Sequence, residues 1–402
     1  MKKVSMLFGL AVFFLPSVAF SQDLADSVSA FSWDLLRASV QEQEKETNLF
    51  LAPLTVFLPL ESLAAGADGE TRKEMLETLH LKSLDQAELE ATRTFRNACN
   101  RTLRQANVFA ASRFWVDASL PLSPEYQELL KTYFNTEIAP IDLRENLPDT
   151  ITEINAWYNR QTYGTLPDVL SPDMIDRETR FFLGATLYFQ CNWSQPFDPR
   201  QTTDAPFTRL DGTKTNVRLM TGNQRVAWRD TETFRAVRLS YVGSSLSSTP
   251  LYEMVVLLPK KTDGLPQVRE SLSPEMWKQL FPADNQGWTT ELGRVSLPQF
   301  TMETTIPLNT MLQNMGMKRA FVPGQAEFPR MEPSGTLYLQ NLLLKTTLVV
   351  NEQGTVASAA FLGGGGVMGG MSEILKATHP FLFVIRDRWT GAILFVGQFL
   401  HD

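Results

Sequence analysis

Apolar residues in the first third of the chain recur at the spacing of helix faces. One group follows at intervals of four, three and four residues: Leu24, Val28, Phe31 and Leu35. Further helical patterns cover residues 54–65, 71–79, 88–108 and 151–164. Ser123 followed by Pro124 predicts another helix start, because a capping hydroxyl and a proline suit the first turn.

Strand patterns dominate the rest of the chain. Continuous apolar runs predict buried strands at 181–189, 252–258 and 336–350. Two more strands, 381–385 and 393–396, are joined by a turn at 387–391, which predicts a hairpin. Because helices precede strands instead of alternating with them, the pattern predicts an α+β fold.

Residues 1–21 are typical of a signal peptide. Lys2 and Lys3 form a basic end, residues 6–20 are mostly apolar, and Ala19 and Ser21 are small residues before a cut. The apolar run is too short to span a membrane, and no later run is long enough. We therefore expect a secreted or periplasmic protein that is not held in a membrane. A buried first helix is the alternative, although a separate pattern begins at residue 22.

Charge and reactive side chains exclude several classes of protein. The net charge of −7 argues against a nucleic-acid binder. Cys99 and Cys191 are too few for a disulfide framework, so we expect both to be buried, with a bridge as the alternative. The three histidines, His80, His379 and His401, lack a Gly-x-Ser-x-Gly elbow or a His-Glu-x-x-His pair. No hydrolase site, metal or cofactor is predicted.

Glycine occupies six of the eight positions 363–370. Fixing glycine in regular structure costs the most entropy, so we expect this segment to be exposed and mobile. A phosphate-binding loop is the rival interpretation. It is not supported, because no Gly-Lys-Ser/Thr sequence follows the glycines.

Separated segments of the chain resemble, in order, the motifs of the serpin family. Leu297-Pro298-Gln299-Phe300 resembles the family's Leu-Pro-Lys-Phe element, and His379-Pro380-Phe381 resembles its closing His-Pro-Phe signature. The other matching segments are 48–55, 154–164, 187–197, 312–317, 351–355 and 394–397. The resemblance implies a serpin fold with three β-sheets and about nine helices, in one domain at 22–402. It also implies a monomer with an exposed reactive-centre loop at about 353–375.

That resemblance implies suicide inhibition of a serine protease. The protease cuts the loop and forms a covalent acyl-enzyme complex, and the freed loop then inserts into the main sheet. The hinge that must enter the sheet holds no proline and, after its first residue, no charge: Glu352, Gly354, Thr355, Val356, Ala357, Ser358, Ala359 and Ala360. Such a hinge resembles inhibitory members. The alternative is a non-inhibitory serpin that acts as a binding or chaperone protein.

The bond to be cut is expected at Met368-Gly369. In the family this bond lies about 17 residues after the hinge glutamate position, here Glu352, with Val367 and Gly369 as neighbouring choices. Methionine is apolar and unbranched, which suits chymotrypsin-like or elastase-like proteases. A trypsin-like pocket needs a cation for its carboxylate.

The sheet-opening region departs from the family pattern. Positions that hold a buried polar cluster in many serpins are Ala52, Thr55, Ala185 and Leu344 here. Joint replacement of hydrogen-bonding partners can be neutral, so we predict a sheet held shut there by packing. Gln299 stands where a lysine often pairs with Glu352, and Trp193 beneath is expected to be a packing residue.

Four arginines of one predicted helix could share a face near the site where some serpins bind polyanions: Arg93, Arg96, Arg101 and Arg104. Weak polyanion binding is one interpretation. A solvated charged face is the other, and the acidic net charge favours it.

Overall fold

The computed structural model describes residues 16–43, 47–105, 108–120, 122–142, 146–172, 174, 179–243, 250–282, 285–340, 342–355 and 371–401. The α-helices within these ranges are α1 Pro16–Gln41, α2 Pro53–Gly66, α3 Gly69–Thr78, α4 Gln86–Gln105, α5 Pro124–Leu129, α6 Leu147–Gln161, α7 Leu265–Ser271, α8 Pro274–Leu280 and α9 Asn309–Asn314. No helix in the described ranges is both long and apolar enough to cross a membrane.

The strands in the first half of the described chain are β1 Leu49–Leu51, β2 Val108–Asp117, β3 Glu137–Ile141, β4 Phe181–Phe189, β5 Cys191–Asn192, β6 Thr203–Thr208, β7 Lys214–Asp230 and β8 Phe234–Ser240. Those in the second half are β9 Tyr252–Pro259, β10 Thr289–Pro298, β11 Phe300–Pro307, β12 Leu343–Val350, β13 Gly354–Thr355, β14 Glu373–Lys376, β15 Phe381–Asp387 and β16 Ile393–Phe399.

The strands form three sheets. The largest runs β1-β16-β15-β9-β8-β7-β10-β14, with β6 paired to β7. A four-stranded sheet runs β11-β12-β13-β5, and a three-stranded sheet runs β3-β2-β4. Nine α-helices and three sheets in the described ranges confirm the expected α+β architecture.

Helix starts follow from local capping chemistry. The Ser123 hydroxyl accepts a hydrogen bond from the Tyr126 amide at 3.0 Å, directly before Pro124, as the sequence predicts. Ser273 caps α8 in the same way through the Met276 amide. Such caps satisfy backbone N–H groups that have no partner inside the first helical turn.

Two apolar cores hold the layers together. The main core joins α1 and α2 to strands of all three sheets. The second lies between α6 and the three-stranded sheet, and Trp157 of α6 meets Trp115 of β2 edge-to-face at 5.1 Å. Helix α6 is therefore fixed against the sheet by aromatic packing.

The hairpin at β15–β16 and the strands β4 and β9 confirm their predictions, but three boundaries differ. Strand β12 begins at Leu343, because backbone amides before it have other partners: Leu339 donates to the Ala320 carbonyl at 2.7 Å, and Leu342 donates to the Asn309 side-chain carbonyl at 2.9 Å. Helix α4 ends at Gln105, before β2 begins at Val108. Helix α1 begins at Pro16, inside the predicted signal peptide, and the leader stays a prediction.

Cys99 and Cys191 are both buried and are not joined in a disulfide, which confirms the first of the two interpretations. Burial raises the pKa of the Cys191 thiol to about 12, so this group stays protonated and unreactive at neutral pH.

Candidate functional site

The start of the predicted reactive loop is built into a sheet. Gly354 and Thr355, which form β13, lie between β12 and β5 and are antiparallel to both. Thr355 is opposite Val350 on one side and Cys191 on the other. Two hinge residues therefore already occupy the position of an inserted strand.

Gly354 is required by a close approach of two backbones. A Cβ atom at this position would lie 2.2 Å from the carbonyl oxygen of Cys191 and 2.6 Å from Cα of Asn192. Real Cβ atoms do not come so close to backbone atoms. The Gly354 φ of +156° is also one that glycine adopts more readily than other residues.

Thr355 is anchored by a buried aromatic pair. Its hydroxyl lies 2.8 Å from the Tyr241 hydroxyl, and both side chains are fully buried. The Tyr241 ring stacks on Trp193 with centroids 4.6 Å apart. Trp193 donates its indole N–H to the Asn351 carbonyl at 2.9 Å and its backbone N–H to the Gln353 carbonyl at 2.8 Å. Trp193 is thus a packing residue, as expected, and also a hydrogen-bonding anchor for the hinge.

Glu352 is held without a lysine. Its buried carboxylate accepts hydrogen bonds from the Thr202 hydroxyl at 2.6 Å and from the Gln299 amide nitrogen at 2.7 Å. Its backbone carbonyl accepts from the Phe197 amide at 2.8 Å. The glutamine therefore keeps the contact that the lysine makes in the family, with a neutral donor in place of an ion pair.

The main sheet, which is the one the loop is expected to enter, consists here of two separate groups of strands, β3-β2-β4 and β11-β12. Strand β4 pairs with β2, and β12 pairs with β11, but β4 and β12 belong to different sheets in the described part of the chain. Among the described residues, β13 joins the two halves through strand pairing, because it pairs with β12 on one side and with β5 on the other. No backbone ladder joins β4 to β12 within these residues, and closure of the sheet there by side-chain packing stays a prediction. The region between the unpaired strands β4 and β12 is called the gap below.

The sheet-opening residues carry little polar chemistry. The Thr55 hydroxyl donates to the Ala52 carbonyl in its own helical turn at 2.5 Å. Thr55 and Ala185 line one cavity of about 180 Å³, whereas Leu344 is buried and is not among the lining residues. The polar cluster of the family is therefore replaced by local bonding and apolar packing.

A segment after α6 covers the gap. Asn155 of α6 accepts backbone hydrogen bonds from Val169 and Leu170 at 3.0 and 2.8 Å and fixes this segment. Lys345 of β12 then donates to the Asp168 carbonyl at 3.0 Å. Because α6 packs on β2 and β4, this bond links the two halves of the sheet. Neither Lys345 nor Asp168 carried a sequence signal.

The rest of the predicted loop lies outside the described residues. This applies to the predicted bond at Met368-Gly369 and to the remaining hinge residues Val356, Ala357, Ser358, Ala359 and Ala360. The described chain stops at Thr355 in β13 and resumes at Met371, just before β14 on the largest sheet.

The four arginines of α4 do not share an exposed face, so that prediction is wrong. Arg96 is buried, and its guanidinium lies 3.2 Å from the fully buried carboxylate of Glu61. Arg93 pairs with Glu90 on the surface, and Arg101 is exposed. The side chain of Arg104 is outside the described part. The helix period places Arg96 toward α2, where it serves the core.

A family model for serpins, described as serine protease inhibitors, matches residues 26–401. The chain belongs to the serpin family. Serpins of this description are protease inhibitors and not enzymes. The serpin is 31% identical to Iripin-3 of Ixodes ricinus over 88% of its own length and 89% of the relative's. It is 28% identical to a leukocyte elastase inhibitor of Xenopus laevis, over 94% of its own length and 99% of that protein's.

Solved structures share the fold. A structure of a tumour-suppressing serpin has a TM-score of 0.82 at 24% identity, covering 95% of this chain and all of the other. Uncleaved ovalbumin has a TM-score of 0.81 at 21% identity, covering 94% of this chain and all of its own. The structure of cleaved Serpin 42Da has a TM-score of 0.82 at 23% identity, and the match covers 95% of this chain and 99% of the other. At these identities the likeness concerns the fold alone.

Proposed function

We propose that this serpin is a suicide-type inhibitor of chymotrypsin-like or elastase-like serine proteases. The observation that carries the proposal is the position of β13 at the top of a gap between β4 and β12. A loop cut downstream of Thr355 has a template strand on both sides, and its first two residues are already paired. Strand addition then proceeds inside one chain.

The proposed insertion continues the register of β13, and the positions given next for the loop residues are those of the inserted state. Each step along the loop moves one residue back along β12 and one back along β4. Ala357 then lies between Leu348 and Phe189, which are both buried. Phe361 lies between Leu344 and Ala185, so the sheet-opening residues are the contacts of the inserting loop. Alternate loop residues, starting with the buried Thr355, face the core.

Insertion supplies the energy that traps the protease. Each new ladder hydrogen bond contributes about 0.5–1.5 kcal/mol net, and a strand of roughly a dozen residues pairs on two edges. Side-chain burial adds to this sum. The release of well over 10 kcal/mol is large enough to carry the attached protease and distort its active site.

Met368, the residue before the proposed cleaved bond and called the bait here, fits an apolar specificity pocket. Cleavage at Met368-Gly369 would form an ester between the Met368 carbonyl and the protease serine and release the Gly369 amine. The names of the leukocyte elastase inhibitors among its relatives support an elastase-like target. Glycine on both sides leaves the bait adaptable and poorly preorganised, so the first encounter should be weak.

Incubation with elastase, chymotrypsin and trypsin, followed by denaturing gels, tests the proposal. We expect a band enlarged by the mass of elastase or chymotrypsin and none with trypsin. Met368→Arg should reverse this preference. Clean cleavage without a covalent complex would instead support the alternative, a non-inhibitory serpin that acts as a binding or chaperone protein.

The proposal also includes export of the protein and a monomeric state. Export rests on the pattern at 1–21, and its test is the N-terminal sequence of the mature protein, expected to begin at Gln22. Polyanion regulation is not part of the proposal, because Arg96 is buried and Arg93 is paired.

A further inference from the structure

A polar cavity of about 220 Å³ lies between α1, α8 and the β15–β16 hairpin, apart from the hinge and the gap. Its lining includes four cationic side chains, namely Arg238, Arg386, Arg388 and Lys278. Arg238 and Arg386 are largely buried, whereas Lys278 and Trp389 stand at the exposed rim. The cavity therefore combines buried positive charge with an opening to solvent.

Three of these cations depend on one carboxylate. Glu253 of β9 is fully buried, and its oxygens lie 2.8 Å from Nε of Arg238, 3.1 Å from Nε of Arg386 and 3.4 Å from Nε of Arg388. Buried charges are stable only when they are paired and hydrogen-bonded. One carboxylate cannot neutralise three guanidinium groups, so two positive charges remain.

The other charged groups near the cavity correct this imbalance only in part. Asp26 is paired with Lys278 at 2.7 Å, which adds no net charge. Asp387 is directed elsewhere, to the Thr102 hydroxyl at 2.7 Å and to amides of its own turn. The charge of Asp387 nevertheless acts on Arg386, so within the described residues four cations face three carboxylates, and a surplus of one positive charge remains.

Arg386 is the least satisfied of the four. Its Nε and the Oε1 of Glu253 are both buried without a hydrogen-bond partner in the described structure, although they form an ion pair. Its guanidinium carbon lies 3.8 Å from the centroid of the Phe281 ring, which fixes the plane of the group. Burial lowers the pKa of Arg386 to about 10, which still leaves it charged at neutral pH.

We propose that this cavity binds a tetrahedral oxyanion, a phosphate or sulfate group. Guanidinium groups in fixed planes present paired donors that match the oxygens of such a group. Such an anion would neutralise the remaining positive charge among the guanidinium groups that line the cavity. The exposed rim at Trp389 leaves room for an organic body attached to the anion.

Calorimetric titration of the full chain with sodium phosphate, sodium sulfate and 4-nitrophenyl phosphate tests the site. Sodium chloride at equal ionic strength is the reference. We expect saturable one-to-one binding of at least one of the three. Equal affinities would indicate free anions, and tighter binding of the aryl phosphate would indicate an anionic group on a larger molecule.

Arg388→Gln should weaken the binding at least tenfold, because it removes one of the three guanidinium groups. This side chain is half-buried, so its replacement leaves the fold intact. Arg218→Gln, at an exposed pair with Asp204, is the matched control and should bind as the wild type does. Arg386→Met should abolish binding, and if that variant does not fold, Arg388→Gln alone decides. Absence of saturable binding to all three anions, or unchanged affinity in Arg388→Gln, would overturn the proposal. No protease is needed, so the result is independent of inhibition.

Discussion

The hydroxyl groups of Tyr241 and Thr355 lie 2.8 Å apart where neither side chain reaches solvent. This contact joins the start of the predicted reactive loop to the residue that follows β8 of the largest sheet, and Trp193 stacks on Tyr241 there. The loop is therefore tethered at its N-terminal end by one hydroxyl pair, two short strand pairings and the bonds of Glu352. Each can be removed separately.

Tyr241→Phe should destabilise the uncut protein. The substitution leaves the buried Thr355 hydroxyl without its partner, at a cost of about 1–3 kcal/mol. The measurement is the urea midpoint of unfolding. Tyr163→Phe, at a side chain that is 64% exposed, is the control and should leave the midpoint unchanged. Equal midpoints for both variants would show that the hydroxyl pair contributes nothing.

Ala357→Glu should convert the inhibitor into a substrate. In the proposed register this residue enters between the buried Leu348 and Phe189, where an unpaired carboxylate costs several kcal/mol. Denaturing gels with the target protease should show cleaved chain and little covalent complex. Ser358→Glu points to the opposite face of the inserted strand and should retain more complex. The reverse order would contradict the register.

Lys345→Met should speed insertion. The variant removes the bond from Lys345 to the Asp168 carbonyl, which links β12 to the segment that covers the gap. A barrier lowered by about 1.4 kcal/mol corresponds to a roughly tenfold faster step. The readout is the number of inhibitor molecules consumed per covalent complex, which should fall. With Lys261→Met, at an exposed lysine, this number should stay the same.

Leu344→His should lower the melting temperature. The site is buried, and its neighbours in the sheet-opening region no longer form a polar cluster, so the imidazole would lack partners. We expect a loss of about 1–3 kcal/mol. Leu292→His, at a side chain that is 48% exposed, controls for the change of residue type. An unchanged or higher melting temperature for Leu344→His would count against packing as the closing force.

Cleavage within the glycine tract at 363–370 should make the protein more resistant to heat. Insertion that releases well over 10 kcal/mol should raise the midpoint of thermal unfolding by about 10 °C or more. Scanning calorimetry before and after limited proteolysis measures the change. The same cut made in the Ala357→Glu variant should give a smaller increase, because its loop cannot enter the sheet.

The sequence predicted features that depend on local chemistry or on ordered motifs. Ser123 caps its helix, and Asp387 closes the predicted hairpin. These residues act on neighbours a few positions away or belong to a recognisable segment. Their roles could therefore be inferred without knowledge of the remaining contacts.

Features that depend on distant partners were not predictable. Arg96 reads as a surface residue by composition, but its partner Glu61 lies 35 positions away on α2. The apolar run at 336–342 reads as a strand, but Ala320 and Asn309 take its backbone hydrogen bonds. The pairing of β13 with β5 joins Gly354 to Asn192, which is 162 positions earlier, and periodicity does not encode a contact of this kind.

The segment after α6 is held at the gap by Lys345 and Asn155, and these bonds control the rate of loop insertion. The protease hydrolyses the acyl-enzyme ester at a rate of its own. It is released if the loop has not yet inserted between β4 and β12. The outcome depends on whether loop insertion or ester hydrolysis is faster, and the residues that control insertion lie far in sequence from the cleaved bond. Two inhibitors with identical sequences around the cleaved bond could therefore differ. One would retain the protease as a covalent complex, and the other would be cleaved as a substrate.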